Sequence, residues 1–178
     1  LAVSGARPIV LERGSDVDSR GAKVERFMTD GILDTECTVQ FGEGGAGPFS
    51  DGKLTTGIKD SRIGWVTQKL VDFGAPEEIL YLARPHIGTD KLRGVVKNLR
   101  EYVISLGGEV RFNSRFSRFT AENGHISTVT YTSDGEEHEL AASDLILATG
   151  HSARDVFEML YKKEVSLSQK SFSVGVRI

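Results

Sequence analysis

Three short stretches carry residue types that could bind a nucleotide cofactor. The first is Glu12-Arg13, which directly follows the apolar run 8–11. In dinucleotide-binding βαβ units, an acidic residue at the end of the second strand accepts hydrogen bonds from a ribose hydroxyl. That residue follows the Gly-rich phosphate-binding turn by roughly 20 residues or more. Only eleven residues precede Glu12, so such a turn would lie before Leu1, and a charged strand end is the alternative interpretation.

The second stretch is the Gly-rich segment 42–54, with the sequence GEGGAGPFSDGKL. Glycines let backbone N–H groups approach a phosphate or a flat ring closely. Residues 47–53 also fit the P-loop pattern G-x-x-x-x-G-K, but Leu54 stands where a P-loop needs Ser or Thr to hold Mg²⁺. A flexible surface loop is a further alternative. The length of the surrounding segment 38–56 favours a functional loop, because long ordered loops are usually functional.

The third stretch is 145–151, with the sequence LILATGH. Small residues at the end of an apolar strand let a ligand pack closely, and ligands bind at the carboxyl ends of strands in open α/β sheets. His151 is the histidine best placed for chemistry, whereas His86 is expected to be structural, and His125 and His138 to be solvated beside turns. No catalytic residue is identified, and no Cys/His cluster has the spacing of metal ligands. The single cysteine, Cys37, excludes a disulfide framework and is expected to be a small buried hydrophobe.

Helical periodicity predicts the elements that would position these stretches. Apolar residues at i, i+3, i+4 and i+7 spacing are clearest over 89–106, where Thr89 or Asp90 is expected to cap the helix. Ser61 is expected to cap another helix, which Gly74 ends. The remaining predicted helices are a helix tail that ends at Gly5, 16–30, 76–82 and 153–163.

Strand signals alternate with these helices and predict an α/β protein. The run 8–11 predicts a buried parallel strand, and the helix tail before it indicates the second half of a βαβ unit. Over 110–140, the turn signals Asn123-Gly124 and Asp134-Gly135 separate β-rich runs and predict an antiparallel meander. Further strands are predicted at 145–148 and from 172 onward.

The composition is that of an ordinary globular protein. The chain has 178 residues, of which 39% are hydrophobic and 26% charged, enough to form a core. A net charge of −3 gives no reason to expect a nucleic-acid or membrane partner. No apolar run approaches the roughly 20 residues of a membrane helix, and we expect a cytoplasmic protein.

The order of these pieces resembles the flavoproteins with two dinucleotide-binding motifs, which have a glutathione-reductase-like FAD domain. It is most similar to a bacterial branch of uncharacterised FAD-dependent dehydrogenases. In that family a meander interrupts the FAD domain between its third and last strands. The most specific part is the block FGEGGAG followed by FSDGKL. The stretches that carry the resemblance are 5–14, 39–56, 84–92 and 145–155.

The resemblance implies roles for individual residues. Glu12 would hold the adenosine ribose, Arg13 would lie beside the adenine, and the backbone near Phe116 would bond the adenine. The Gly-rich loop would face the isoalloxazine and the pyrophosphate, and 148–150 would close over the flavin with His151 and Arg154 nearby. The expected cofactor-binding residues are Glu12, Arg13, Gly42, Gly44, Gly45, Gly47, Ser50, Asp51, Gly52, Lys53, Leu54, Phe116, Ala148, Thr149, Gly150 and His151.

The implied fold is one incomplete FAD/NAD(P)-binding Rossmann-like domain of the α/β class over 1–178, an internal piece of a longer flavoprotein. Its Gly-rich turn for the pyrophosphate would lie outside this stretch, so we expect the stretch alone to bind FAD weakly or not at all and to be inactive. Open sheet edges would favour self-association. The expected parts are Rossmann-like segments at 1–14 and 88–160, the cofactor loop with a helical insertion at 15–87, the meander at 110–140, and a following segment that starts at 165–178.

The implied function is that of an FAD-dependent oxidoreductase that transfers hydride to or from a small-molecule substrate, with NAD(P)H as a candidate partner. Three alternatives remain at this point. One is an RNA- or cofactor-modifying enzyme with the same FAD domain, and another is a P-loop nucleotide-binding protein. The third is a non-catalytic α/β binding module.

Overall fold

The computed structural model describes residues 1–49, 52–54, 56–171 and 175. Within them, the protein is a mixed α/β structure with a two-stranded parallel sheet and a three-stranded antiparallel sheet. Short 3-10 helices lie at Ala2–Ser4, Gly47–Phe49 and Glu77–Leu80. The strands are β1 (Ile9–Leu11), β2 (Glu109–Arg111), β3 (Ser114–Glu122), β4 (His125–Ser133) and β5 (Glu136–Ala141), and the helices are α1 (Val17–Asp30), α2 (Ile63–Asp72), α3 (Thr89–Ser105) and α4 (Arg154–Lys162).

Strands β1 and β2 form the parallel sheet, which confirms the predicted parallel strand. Ile9 pairs with Glu109, and Leu11 pairs with Arg111. The predicted burial of this strand is wrong, because Ile9 and Val10 are each 44% exposed. In the part of the chain that the structure describes, β2 is the only strand beside β1, so one edge of β1 and much of its surface remain uncovered.

The antiparallel meander of β3, β4 and β5 confirms the hairpin prediction, but it begins at Ser114, because residues 110 and 111 pair with β1 in the parallel sheet instead. Asn123 and Gly124 have φ angles of 51° and 80°, and Asp134 and Gly135 have φ angles of 51° and 81°. Two successive positive φ angles define the type I′ turn, whose twist matches that of the strands it joins. The entry of the meander is tied to the end of β1, because the Ser114 amide donates to the Glu12 carbonyl at 2.9 Å.

The helices follow the predicted periodicity, but two predicted caps are wrong. Helix α3 begins after Gly88, whose φ is 84° and whose carbonyl accepts from the Leu92 amide at 3.0 Å, so neither Thr89 nor Asp90 is the cap. Arg62, and not Ser61, precedes α2. Among the described residues, no helix is both long and apolar enough to cross a bilayer.

Two apolar clusters hold these elements together. One joins α2 to α3 and the segments around them, and the other joins α4 to β3. The buried members of the first are Ala75, Ile79, Ile87, Leu92 and Val95. The buried members of the second are Ala153, Val156 and Leu160, with Phe41, Phe116, Phe119 and Met159 packed against them.

The predicted strand over 145–148 does not form. These residues belong to no ladder, and Ile146 is 71% exposed. An apolar run becomes a strand only where a neighbouring strand supplies partners for its N–H and C=O groups, and none of the described residues does so here. The strand predicted from 172 onward falls almost wholly outside the described residues.

Candidate functional site at the carboxyl end of strand β1

Glu12 lies directly after β1 and holds the start of the Gly-rich loop. Its Oε1 atom accepts hydrogen bonds from the backbone amides of Gly14 and Gly42, both at 2.9 Å. Its own amide donates to the Arg111 carbonyl at 2.9 Å, which fixes the residue to β2. Its Oε2 atom has no hydrogen-bond partner among the described residues. One carboxylate oxygen of Glu12 is therefore structural, whereas the described residues leave the other without a hydrogen bond.

Arg13 joins the end of β1 to the start of α4. Its guanidinium forms an ion pair with Asp155, and its Nε atom lies 3.6 Å from Glu36 Oε2. The guanidinium carbon also lies 4.4 Å from the centroid of the Phe41 ring. Phe41 and Phe116 both pack on the α4 cluster. Two of the predicted site residues, Arg13 and Phe116, therefore lie in the same region, beside Phe41 and the start of α4. Asp155, the ion-pair partner of Arg13, was not among the predicted site residues.

The loop after α1 is shaped by Arg20, which is fully buried. Its Nε atom donates to the Thr38 carbonyl and its Nη2 atom to the Val39 carbonyl, both at 2.8 Å. Its Nη1 atom donates to the carbonyls of Gly42 at 3.2 Å and Glu43 at 2.7 Å. One guanidinium thus fixes four carbonyl groups over residues 38–43.

The role of Arg20 was not predicted, although the sequence contains a signal for it. Arg20 stands between Val17 and Val24 at helical spacing, and all three side chains are buried on α1. A charged residue in the apolar stripe of a helix must find polar partners, because an unpaired buried charge is costly. Its position on that stripe indicates an internal structural role.

Glu43 is a second buried charged group that the prediction omitted. Its Oε2 atom accepts from the Val17 amide at 2.8 Å and from Arg100 Nη1 at 3.0 Å. The carboxylate therefore meets the first turn of α1, where the helix dipole favours a negative charge. Burial nevertheless raises the pKa of Glu43, against the opposing effects of the Val17 amide and Arg100.

The raised pKa of Glu43 predicts a pH-dependent effect of the substitution Glu43→Gln. The contribution of a raised pKa to folding is fully present below the unfolded value of 4.5 and is lost as pH rises through the folded value. A glutamine at this position would not titrate. The free energy of unfolding of the unsubstituted chain, minus that of E43Q, should therefore fall as pH rises above about 4.5 in urea titrations.

Glu137→Gln is the matched control for this measurement. The hydrogen bond from Arg118 lowers the pKa of Glu137, so the corresponding difference should be lost as pH falls and should rise with increasing pH. If the difference for E43Q also rose with pH, the pKa of Glu43 would be lowered in the folded protein. The effects of Arg100 and the Val17 amide on that pKa would then outweigh the effect of burial.

Most glycines of the loop make room for the protein itself. A Cβ atom on Gly42 would lie 2.5 Å from Arg20 Cδ, and one on Gly44 would lie 2.6 Å from Pro48 Cγ. A Cβ atom on Gly45 would meet no atom within 4 Å. Gly45 is therefore the loop glycine at which a ligand has space, whereas Gly42 and Gly44 are explained by internal packing.

The end of the Gly-rich segment belongs to another part of the structure. The Leu54 amide donates to the Pro85 carbonyl at 2.9 Å, and the Ile87 amide donates to the Gly52 carbonyl at 3.0 Å. Lys53 lies opposite His86 in this antiparallel bridge. Leu54 packs on the α2–α3 cluster, and a Cβ atom on Gly47 would lie 3.2 Å from Leu92 Cδ2. Ser50 and Asp51 lie outside the described residues.

The same arrangement disfavours a P-loop. The motif requires a helix that starts at its Gly-Lys-Ser/Thr end, whereas Lys53 stands in an extended bridge and α2 begins only at Ile63.

The segment before α4 contributes exposed residues to this region. Ala148, Gly150 and His151 are exposed, Thr149 is half-buried, and Ser152 Oγ lies 3.3 Å from His151 Nδ1. No described hydrogen bond joins these residues to Glu12 or Arg13. The segment is connected to the end of β1 through the ion pair between Asp155 and Arg13. No cluster of metal-ligand side chains occurs within the described ranges.

Comparison with known proteins places this chain beside a longer relative. No family model matches the chain. A Clostridium beijerinckii protein, described as an uncharacterized protein, is 51% identical over 178 residues. The match covers 100% of this chain and 33% of that protein, so the chain spans about a third of the length of its relative.

Proposed function

We propose that this chain is part of the FAD-binding region of a longer oxidoreductase that transfers hydride through the flavin. Glu12 carries the proposal. It stands at the carboxyl end of a parallel strand, with Oε1 held by two backbone amides and Oε2 without a partner among the described residues. A carboxylate fixed in this way is suited to accept a hydrogen bond from a ribose hydroxyl.

The surrounding elements support the same assignment. The meander follows β2 directly, and its first residue is bonded to the Glu12 carbonyl, in keeping with the element order of the flavoprotein family that the sequence resembles. Glu12 would hold the ribose, the entry of β3 near Phe116 would approach the adenine, and the open side of Gly45 would admit the cofactor.

The bound flavin would supply the redox chemistry, and the protein would supply orientation and electrostatics. The positive charge of Arg13 is already matched by Asp155 and Glu36. Arg13 therefore serves chiefly to position the end of β1. The proposal includes a small-molecule substrate, NAD(P)H as candidate electron partner and a cytoplasmic location.

The substitution Glu12→Gln in the longer polypeptide tests this function. The glutamine oxygen still accepts from the Gly14 and Gly42 amides, but an amide nitrogen replaces the open oxygen. A hydrogen bond to a charged group contributes about 1.5 to 3 kcal/mol, so flavin affinity should fall about tenfold or more. The measurements are the visible flavin absorption of the purified protein and titration of the apoprotein with FAD.

Glu109→Gln is the control, since Glu109 is an exposed partner of Arg111 on the neighbouring strand, and its flavin content should not change. This chain alone should be colourless. A colourless longer protein that takes up no added FAD would overturn the proposal. Binding of adenine nucleotides without flavin would favour the non-catalytic nucleotide-binding alternative.

A further inference from the structure

Two arginines lie against one aromatic ring beside the Gly-rich loop. The guanidinium carbon of Arg20 is 4.5 Å from the centroid of the Phe49 ring, and that of Arg93 is 4.6 Å from it. Burial has the largest effect on the pKa of Arg20 and lowers it, the attractions of Cys37 and Glu12 oppose that effect, and the smaller repulsion from Arg93 adds to it. The negative groups near Arg20 therefore act on its charge more strongly than Arg93 does.

Two further carboxylates in this region, those of Glu43 and Asp18, are engaged with other groups. Glu43 receives hydrogen bonds from Arg100 and the Val17 amide. Asp18 pairs with Lys97 at 2.7 Å. Neither carboxylate forms an ion pair with Arg20 or Arg93 in the described part of the chain.

The two arginines differ in how their N–H groups are used. All three guanidinium nitrogens of Arg20 donate to backbone carbonyls. Arg93 forms no hydrogen bond or ion pair with any described residue, and its Nε atom is shielded from solvent without a partner. Buried polar groups nearly always have a partner, so Arg93 is unusual in that no described residue uses its N–H donors.

The loop beside Arg93 offers further donors. Cβ atoms on Gly44 and Gly47 would lie 3.3 Å from Val96 Cγ2 and 3.2 Å from Leu92 Cδ2, which brings the loop onto α3 at positions flanking Arg93. Gly44 and Ala46 are exposed. Within the described ranges, their backbone amides form no hydrogen bonds.

We propose that Arg93 and this part of the loop form a binding position for an oxyanion, either a phosphate or a carboxylate group. The planar guanidinium bonds two oxygens of such a group at once, and backbone amides in a Gly-rich turn add to the attraction. The inference goes beyond the flavin assignment, since it requires no flavin and depends on residues other than Glu12.

The test uses this chain without flavin and follows thermal unfolding and calorimetric titration with inorganic pyrophosphate and with malonate. Sodium chloride at matched ionic strength is the reference, because salt alone screens the two arginine charges. We expect at least one oxyanion to raise the unfolding midpoint above that in chloride. Stronger binding of pyrophosphate would identify a phosphate site, and stronger binding of malonate a carboxylate site.

Arg93→Gln should weaken oxyanion binding by about tenfold or more, and Arg93→Lys should have an intermediate effect, since it retains the charge but not the paired donors. Lys91→Gln removes an exposed positive charge from the same helix and should leave binding unchanged. Equal binding by R93Q and the unsubstituted chain would overturn the proposal. Stabilisation of the unsubstituted chain no greater than that in chloride would also overturn it.

Discussion

Replacement of Arg20 by methionine is expected to lower the free energy of unfolding by about 3 to 5 kcal/mol. Methionine fills much of the same volume but donates no hydrogen bond. Four carbonyl groups over residues 38–43 would then lose the Arg20 donor, although the Gly42 carbonyl would keep its hydrogen bond from the Gly45 amide. Each buried acceptor left unsatisfied costs about 1 to 3 kcal/mol, reduced where the loop relaxes and water enters. Urea unfolding monitored by circular dichroism measures the change.

Two further variants separate the geometry of Arg20 from its charge. Arg20→Lys keeps the positive charge but cannot reach four carbonyls from one nitrogen, so it should recover only part of the stability. Arg26→Met removes an exposed arginine from the same helix and should change stability by less than about 0.5 kcal/mol. If R20M were as stable as R26M, the loop would not depend on these hydrogen bonds.

The features that the sequence predicts well depend on residues near one another in the chain. Asn123-Gly124 and Asp134-Gly135 specify their turns because the positive φ angles belong to the turn residues themselves. The apolar stripe of α3 likewise follows from helical spacing alone. The cap at Gly88 was missed because it depends on the path by which the chain enters the helix.

The features that were missed depend on distant partners. Arg20 bonds carbonyls of an irregular loop 18 to 23 residues farther along the chain, and no periodic pattern encodes such a contact. The run 145–148 has the composition of a buried strand, but a strand also requires a neighbour to pair with. The position of Glu12 at the end of a strand could be predicted because it is a local feature, whereas its hydrogen bond from Gly42 could not.

The glycines show why a Gly-rich loop is ambiguous in sequence. A missing side chain leaves room either for a ligand or for another part of the protein, and both possibilities give the same residue. Around the loop, Gly42 and Gly44 make room for Arg20 and Pro48, and Gly45 alone among these three has open space. The prediction that the loop faces a cofactor therefore depends on Gly45 and on the adjacent Glu12.

Replacement of Gly14 by alanine is expected to destabilise the protein by about 3 kcal/mol or more, because the added Cβ atom would clash with backbone atoms. The new Cβ atom would lie 2.6 Å from Gly42 Cα, 2.7 Å from the Gly42 nitrogen and 3.1 Å from the Glu36 carbonyl oxygen. No side-chain rotation relieves these contacts, so the loop must move away from β1. That movement would also stretch the pair of hydrogen bonds that Glu12 Oε1 accepts from Gly14 and Gly42.

Gly57→Ala is the matched control, because a Cβ atom on this exposed loop glycine meets nothing within 4 Å and its φ is not positive. It should change the free energy of unfolding by less than about 0.5 kcal/mol. In the longer polypeptide, G14A should also lower flavin content, since displacement of the loop disturbs the carboxylate that we assign to the ribose. A G14A variant as stable as G57A would show that β1 and the loop are not in close contact, and a stable G14A variant with normal flavin content would separate the loop from the cofactor site.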